Sequence, residues 1–234
     1  MRLVASLCLG LWAGAATAQQ CRLALVLALD VSSSVDAQEY EIQRLGLATA
    51  LDSDDVRHAI LRGAPGYVAL AVYEWSGFYQ QKLHLDWTAL RSQQDIDRAV
   101  LALAGMQRQP GDFPTSIGQA LGYGATVLTR APDCARRVID ISGDGINNHG
   151  YGPAAAYRNF PFDGVTVNAL VISREVNKVV EYYRKNVIRG DNAFMIVARD
   201  FEGFAEAMSR KLYREINDLV VGDIPDLRHG APPG

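Results

Sequence analysis

Short apolar runs that stop at a polar residue, spaced by amphipathic stretches, organise this chain. Residues 23–29 are uninterruptedly apolar and end at Asp30, as expected for a strand buried on both faces. Asp36-Ala37-Gln38-Glu39 has the form of a capping box. Ile42, Leu45, Ala48 and Leu51 then recur at helical spacing until the polar cluster at 52–55, so a helix follows the strand. Residues 56–61 read as a further helical turn, stopped by Gly63, Pro65 and Gly66. Tyr67–Trp75 is a second apolar run, and 81–86 alternates as a half-exposed edge strand does, after a turn at Ser76-Gly77.

Beyond that point the pattern alternates regularly. It predicts helices over 95–104 and 116–128 around a Gly/Pro-containing loop, a strand over 137–141, and a polar glycine-rich loop. Strand Val165–Ile172, helix 176–186, strand 193–198 and helix 201–216 complete it. Strands separated by helices of this length call for right-handed parallel crossovers, and hence an α/β doubly wound sheet.

Composition narrows the setting. Of 234 residues, 49% are hydrophobic and 21% charged, ordinary values for a globular chain. The net charge of −3, with no Lys/Arg run or basic-aromatic stripe, excludes a nucleic-acid surface. Arg2, the apolar stretch 3–16 and Ala16-Thr17-Ala18 have the form of a signal peptide over 1–18, which predicts a periplasmic or secreted protein. That stretch is short for a bilayer and no later segment is longer, so no transmembrane segment is expected. Cys8 and Cys21 lie near the start, but neither follows a Leu-Ala-Gly-Cys type of pattern, which argues against lipidation. Cleavage after Ala18 leaves 216 residues, enough for one domain over 19–220 with a Pro/Gly-rich flexible tail over 221–234.

Ligands of doubly wound sheets bind outside the carboxyl ends of the strands. Three polar clusters fall there: Asp30-Val31-Ser32-Ser33-Ser34, Gly111-Asp112-Phe113-Pro114-Thr115-Ser116, and Ser142-Gly143-Asp144-Gly145. Asp-x-Ser-x-Ser alone is also a common helix N-cap sequence. Together the clusters offer Asp30, Ser32, Ser34, Thr115 and Asp144, all hard oxygen donors suited to Mg²⁺, Mn²⁺ or Ca²⁺ and poorly suited to zinc or copper. Hydroxyls add no charge, so two carboxylates at most balance a divalent cation, leaving it attractive to one more anion.

Asp-x-Ser-x-Ser, a later Thr before a helix and Gly-Asp-Gly after the central strand resemble the metal-ion-dependent adhesion site of von Willebrand factor A domains, over residues 23–216. The resemblance implies a mostly parallel six-stranded sheet, helices on both faces and one antiparallel edge strand. It implies Ser32, Ser34 and Thr115 on the metal, Asp30 and Asp144 there directly or through water, and an open position for an Asp or Glu carboxylate from a partner protein. Glu74-Trp75-Ser76-Gly77, Thr115-Ser116-Ile117-Gly118 and the run 142–148 resemble a bacterial branch of secreted A-like proteins, which implies no activity. If the first and central strands are parallel neighbours, as the resemblance implies, Cys21 and Cys134 sit at the pole opposite the metal. They lie nine and ten residues before Asp30 and Asp144, within reach of a disulfide.

Asp112 and Asn147 adjoin the site in sequence and are candidates for supporting it; loop residues of this kind also serve simply as turn formers. His149 is a further loop neighbour, and Arg189-Gly190-Asp191 fits a turn. The resulting expectation is a cation-dependent protein-binding module rather than an enzyme. A periplasmic assembly factor would use the same site. A metal-dependent hydrolase lacks an evident base, Ser32 stands where a haloacid-dehalogenase-like chain wants Asp, and Gly-x-Ser-x-Gly is missing.

Overall fold

The first apolar run becomes the middle of the sheet. The computed structural model describes residues 20–110, 112–174 and 178–217; the expected leader over 1–18 and the tail over 221–234 lie outside them. Strand β1 (Cys21–Asp30) is followed by α1 (Ala37–Asp52), α2 (Asp54–Arg62), β2 (Tyr67–Trp75), β3 (Gln81–Leu90), α3 (Gln93–Ala104), α4 (Ile117–Leu128) and β4 (Cys134–Gly143). Then come α5 (Pro153–Asn159), β5 (Val165–Ile172), α6 (Lys178–Asn186), β6 (Met195–Ala198) and α7 (Phe204–Asn217). The strand order is β3-β2-β1-β4-β5-β6, parallel throughout except for the antiparallel β2–β3 pair at one edge.

Alternation along β1 divides two cores. Leu23, Leu25, Leu27 and Leu29 pack with α1, α2, α3 and α7, whereas Ala24, Val26 and Ala28 face α4, α5 and α6. Leucines on one face and small residues on the other let α4 lie close to the sheet. Gly124 on α4 is one point of approach: a Cβ there would lie 2.9 Å from the Tyr73 hydroxyl. The chain leaves β1 toward α1 on one face and β4 toward α5 on the other, so the β1/β4 junction is the topological switch point.

Several boundaries differ from the sequence expectation. Capping of α1 by Asp36 and Glu39 is present as expected, but Leu45 is 48% exposed; the buried face of α1 runs through Tyr40, Gln43, Gly46, Leu47, Ala50 and Leu51. Strand β3 continues four residues past Asp86 to Leu90. The glycine-rich loop after β4 contains a short helix, α5, opened by Gly152 and Pro153 at its first position. Of the expected helix over 176–186, its first two residues lie outside the described residues.

At the amino ends of the strands, Cys21 pairs in register with Cys134 and the two form a disulfide with Cα atoms 4.5 Å apart. Deeper in the core, Lys211 of α7 is fully buried, its Nζ 2.9 Å from Asp140 Oδ2 and 2.7 Å from Glu215 Oε1. Asn168 donates to the same Glu215 oxygen at 2.9 Å. Two carboxylates share one ammonium; burial and the neighbouring Glu215 push the Asp140 carboxyl up to about 8.

Candidate metal centre

Strand β1 ends at Asp30, fully buried, and its carboxylate organises the turn that follows: Oδ1 accepts from the Ser32 N–H at 2.8 Å. Backbone bonds from Val31 N–H to Trp75 O (2.9 Å), Ser33 N–H to Phe113 O (2.9 Å) and Val35 N–H to Ser32 O (3.0 Å) fix this loop against its neighbours. Gln43 of α1 donates to the Asp30 carbonyl at 3.0 Å. The loop before α4 is locked to the loop after β4 by a reciprocal pair, Thr115 N–H to Asn148 Oδ1 (2.9 Å) and Asn148 N–H to Thr115 O (3.0 Å).

These constraints bring the expected donors together. Ser34 Oγ donates to Asp144 Oδ1 at 2.7 Å, Ser34 Oγ lies 3.3 Å from Ser32 Oγ, and Thr115 Oγ1 donates to Ser32 Oγ at 3.3 Å. Ser32 and Thr115 are buried, Ser34 is exposed and Asp144 half-buried, so the cluster opens to solvent on one side. Asp30 Oδ2 is buried without a hydrogen-bond partner among the described residues. Burial, with the nearby Asp144 charge, pushes the Asp30 carboxyl up to about 7. Gly143 leaves the space needed: a Cβ there would lie 2.9 Å from Asp30 Oδ2 and 2.5 Å from the Tyr183 hydroxyl.

The donor set fits a divalent cation. A buried carboxylate oxygen with no partner costs free energy that a cation would offset. Among the described residues no group of three or more His, Cys, Asp or Glu side chains has metal-holding geometry, so a site here must draw on hydroxyls. A family model described as "Protein of unknown function (DUF1194)" matches residues 20–220.

The chain belongs to this family.

Solved structures add the fold of the DUF1194 chain. A proximal thread matrix protein from the mussel byssus, with a zinc-occupied MIDAS motif, is 16% identical at a TM-score of 0.61, the match covering 84% of this chain and 46% of that one. A von Willebrand factor type A protein from Catenulispora acidiphila is 16% identical at a TM-score of 0.59, over 84% of this chain and 43% of that one. An aerotolerance-related membrane protein from Bacteroides fragilis is 20% identical at a TM-score of 0.53, over 84% of this chain and 100% of that one. The DUF1194 chain thus spans less than half the length of the first two and matches the whole of the third, and its fold is that of von Willebrand factor A domains. No curated protein sequence matches it.

Of the supporting residues expected from sequence, Asn147 accepts from the Gly118 N–H at 3.1 Å and donates to the His149 carbonyl at 3.1 Å, holding the start of α4 against the β4 loop. His149 Nδ1 lies 3.3 Å from Ser116 Oγ, on the same seam. Asp112 is exposed and has no hydrogen bond to the five donors. Gly190 has φ 97°, as a turn glycine does.

Sequence reading assigned no role to Glu74. It is fully buried at the end of β2: Oε1 accepts from Tyr40 at 2.7 Å, Oε2 accepts from the Gln109 N–H at 3.0 Å, and His84 Nε2 lies 3.0 Å from Oε2. Glu74 thereby ties α1, β3 and the loop leading to Thr115 together beneath the donors. A single carboxylate within the apolar run Tyr67–Trp75 was the available signal. Asn148 and Tyr183 were also unassigned. The Tyr183 phenol is buried, and burial with the charges of Asp30 and Asp144 raises its pKa.

Proposed function

We propose that this protein is an exported binding module in which Asp30, Ser32, Ser34, Thr115 and Asp144 hold Mg²⁺, or Mn²⁺ or Ca²⁺, and the metal captures an Asp or Glu carboxylate of a partner protein. The observation that carries the reading is the chain of oxygens from Asp144 through Ser34 and Ser32 to Thr115, with contacts of 2.7, 3.3 and 3.3 Å. Asp30 Oδ2, buried and unpartnered among the described residues, supports it further. All five donors are oxygen, the preference of hard cations. Two carboxylates against one divalent ion leave no surplus negative charge, so the ion attracts a carboxylate arriving through the open side. Thr115 reaches the cluster from a loop of its own and supplies a buried, neutral ligand beneath that open side.

The signal-like segment over 1–18 supports export, and among the described residues no helix is long and apolar enough to cross a membrane. The mussel matrix protein and the pilus adhesin of Lactobacillus rhamnosus share the fold. That kinship supports recognition over catalysis. Adhesion and envelope assembly would use the same device.

Affinity capture from the native envelope, with and without chelator and with Thr115→Ala, tests the reading. Chelator and the substitution should each release the same partner. A partner retained equally in all three conditions would make the metal structural and the capture mechanism wrong.

A further inference from the structure

The turn between β2 and β3 carries two exposed aromatic rings at the same pole of the sheet as the metal cluster. Phe78 is 39% and Tyr79 83% exposed, and their rings meet edge to face with centroids 4.1 Å apart. The other exposed large apolar side chains among the described residues, Leu45, Leu101 and Tyr213, stand singly on separate helices, as is ordinary for a surface. Tyr79 also has φ 59°, in the left-handed region that bulky side chains rarely adopt and glycine adopts freely. The turn thus keeps a large ring in water at a position where glycine would be less strained.

Hydrogen bonds fasten this turn to the metal loops. The Ser116 N–H, one residue after Thr115, donates to the Ser76 carbonyl at 3.0 Å, and the Ser76 N–H donates to the Gln80 carbonyl at 3.1 Å. A Cβ on Gly77 would lie 3.0 Å from Phe113 Cβ, and the Phe113 carbonyl accepts from the Ser33 N–H at 2.9 Å. Through Ser76 and Ser116, the Cα atoms of Thr115 and Phe78 can be no more than about 15 Å apart, the span of four or five extended residues. Tyr151 is a further aromatic neighbour: burial, with the nearby Tyr79 phenol, raises its hydroxyl above the ordinary range.

Charge is sparse on this side of the metal cluster. Segments 76–80, 113–118 and 145–152 contain no Asp, Glu, Lys or Arg; Asp112 and Asp144 border them, Lys82 follows on β3, and Glu74 is buried. Aromatic rings with few charges are characteristic of the middle of a protein–protein interface. We infer that Phe78 and Tyr79 form an apolar contact surface continuous with the metal site, and that the captured partner presents an aliphatic or aromatic side chain within about four residues of its metal-binding Asp or Glu. This rests on the metal-dependent capture proposed above and names the partner's chemistry: an acidic residue with an apolar neighbour. A segment whose carboxylate sits on the metal passes within reach of the turn, and the bonds to the metal loops hold the rings in place before it arrives, which lowers the cost of binding.

The test uses the exported protein with Mg²⁺ and labelled glycine/serine peptides carrying one Asp, alone or with one Leu placed one to four positions to either side, followed by fluorescence anisotropy. The best Leu-containing peptide should bind roughly tenfold more tightly than the Leu-free one, as expected for a mostly buried apolar side chain. That gain should persist as salt is raised, unlike a gain from charge. Phe78→Ser with Tyr79→Ser should erase it while leaving calorimetric Mg²⁺ affinity and binding of the Leu-free peptide unchanged. Tyr79→Gly should lose most of the gain without lowering Tm; a lower Tm would make the ring a packing group and overturn the inference. If Mg²⁺ and the Leu-free peptide bind but Leu adds nothing at any position, or adds as much in the double variant, the aromatic surface is wrong and metal capture stands. Sedimentation that finds a dimer of the unmodified chain and a monomer of the double variant would assign the rings to a second copy and overturn it as well. If Mg²⁺ does not bind the unmodified protein, capture and contact surface fall together.

Discussion

A buried carboxylate with one oxygen bound by its own turn and the other bare is costly unless a cation or a proton meets it, and among the described residues Asp30 is in that position. The space beside it is kept by Gly143, where even a methyl group would press on Asp30 Oδ2 and the Tyr183 hydroxyl. Gly143→Ala should therefore weaken Mg²⁺ binding by roughly tenfold or more without altering the circular dichroism spectrum, in line with the effect of losing support around a metal. Unchanged affinity on calorimetry would show that this space has no bearing on the site. Glu74 makes a separate demand. Glu74→Ala strands the buried Tyr40 hydroxyl and leaves the half-buried Gln109 N–H without its acceptor, and denaturant titration should find a loss of about 2–4 kcal/mol; a loss near zero would mean that water replaces the carboxylate. The five donors were legible because each sits at a strand end or helix start that hydrophobic pattern marks. Glu74 and Asn148 were not, because their partners Tyr40, Gln109 and Thr115 are distant in sequence and only the folded register brings them close.

Elements tell the same story one level up. Five of the six strands could be read from apolar runs and the edge strand β3 from alternation, because a buried strand carries an unbroken signal and a half-exposed one alternates. Helix α5 could not, since its seven residues, opened by a glycine and a proline, bury only Pro153 and Ala156. Helix α7 was visible by periodicity, yet its anchor was not: Lys211 and Glu215 look like a surface pair one turn apart and instead meet Asp140 inside. The Asp140 carboxyl is raised to about 8, above the ordinary value near 3.9, so the folded chain holds that proton more tightly than the unfolded one. Its contribution is complete below about pH 4 and is lost as pH rises toward 8. Thermal unfolding of the wild type should show Tm falling across that window, and Asp140→Asn should flatten the slope, with a residue from the similarly raised Asp30. Equal slopes in the two proteins would refute the assignment. The disulfide closes a separation of 113 residues between the first and central strands. Replacing both cysteines by alanine should cost about 2–4 kcal/mol in denaturant titration, mostly through a freer unfolded chain; no loss would mean that the sheet register alone holds that end.

At the scale of the whole molecule, the sheet separates two tasks. Its amino pole is stapled by Cys21–Cys134, and its carboxyl pole gathers three loops at the switch point between β1 and β4. Fixing one end lets the other present a preorganised cluster on loops, where substitution disturbs binding more than folding. The fold class followed from the order of strands and helices. The proposal for what the loops hold rests on their chemistry: three hydroxyls and two carboxylates that converge, with one carboxylate oxygen unmet among the described residues. The central claim is that these five residues hold a divalent cation, and isothermal titration of metal-free protein with Mg²⁺ or Mn²⁺ tests it most directly. The account predicts one ion per chain in the wild type, and no measurable binding in Asp30→Ala and Asp144→Ala with both variants still folded. Unchanged affinity in both variants, or no binding by the wild type, would contradict it.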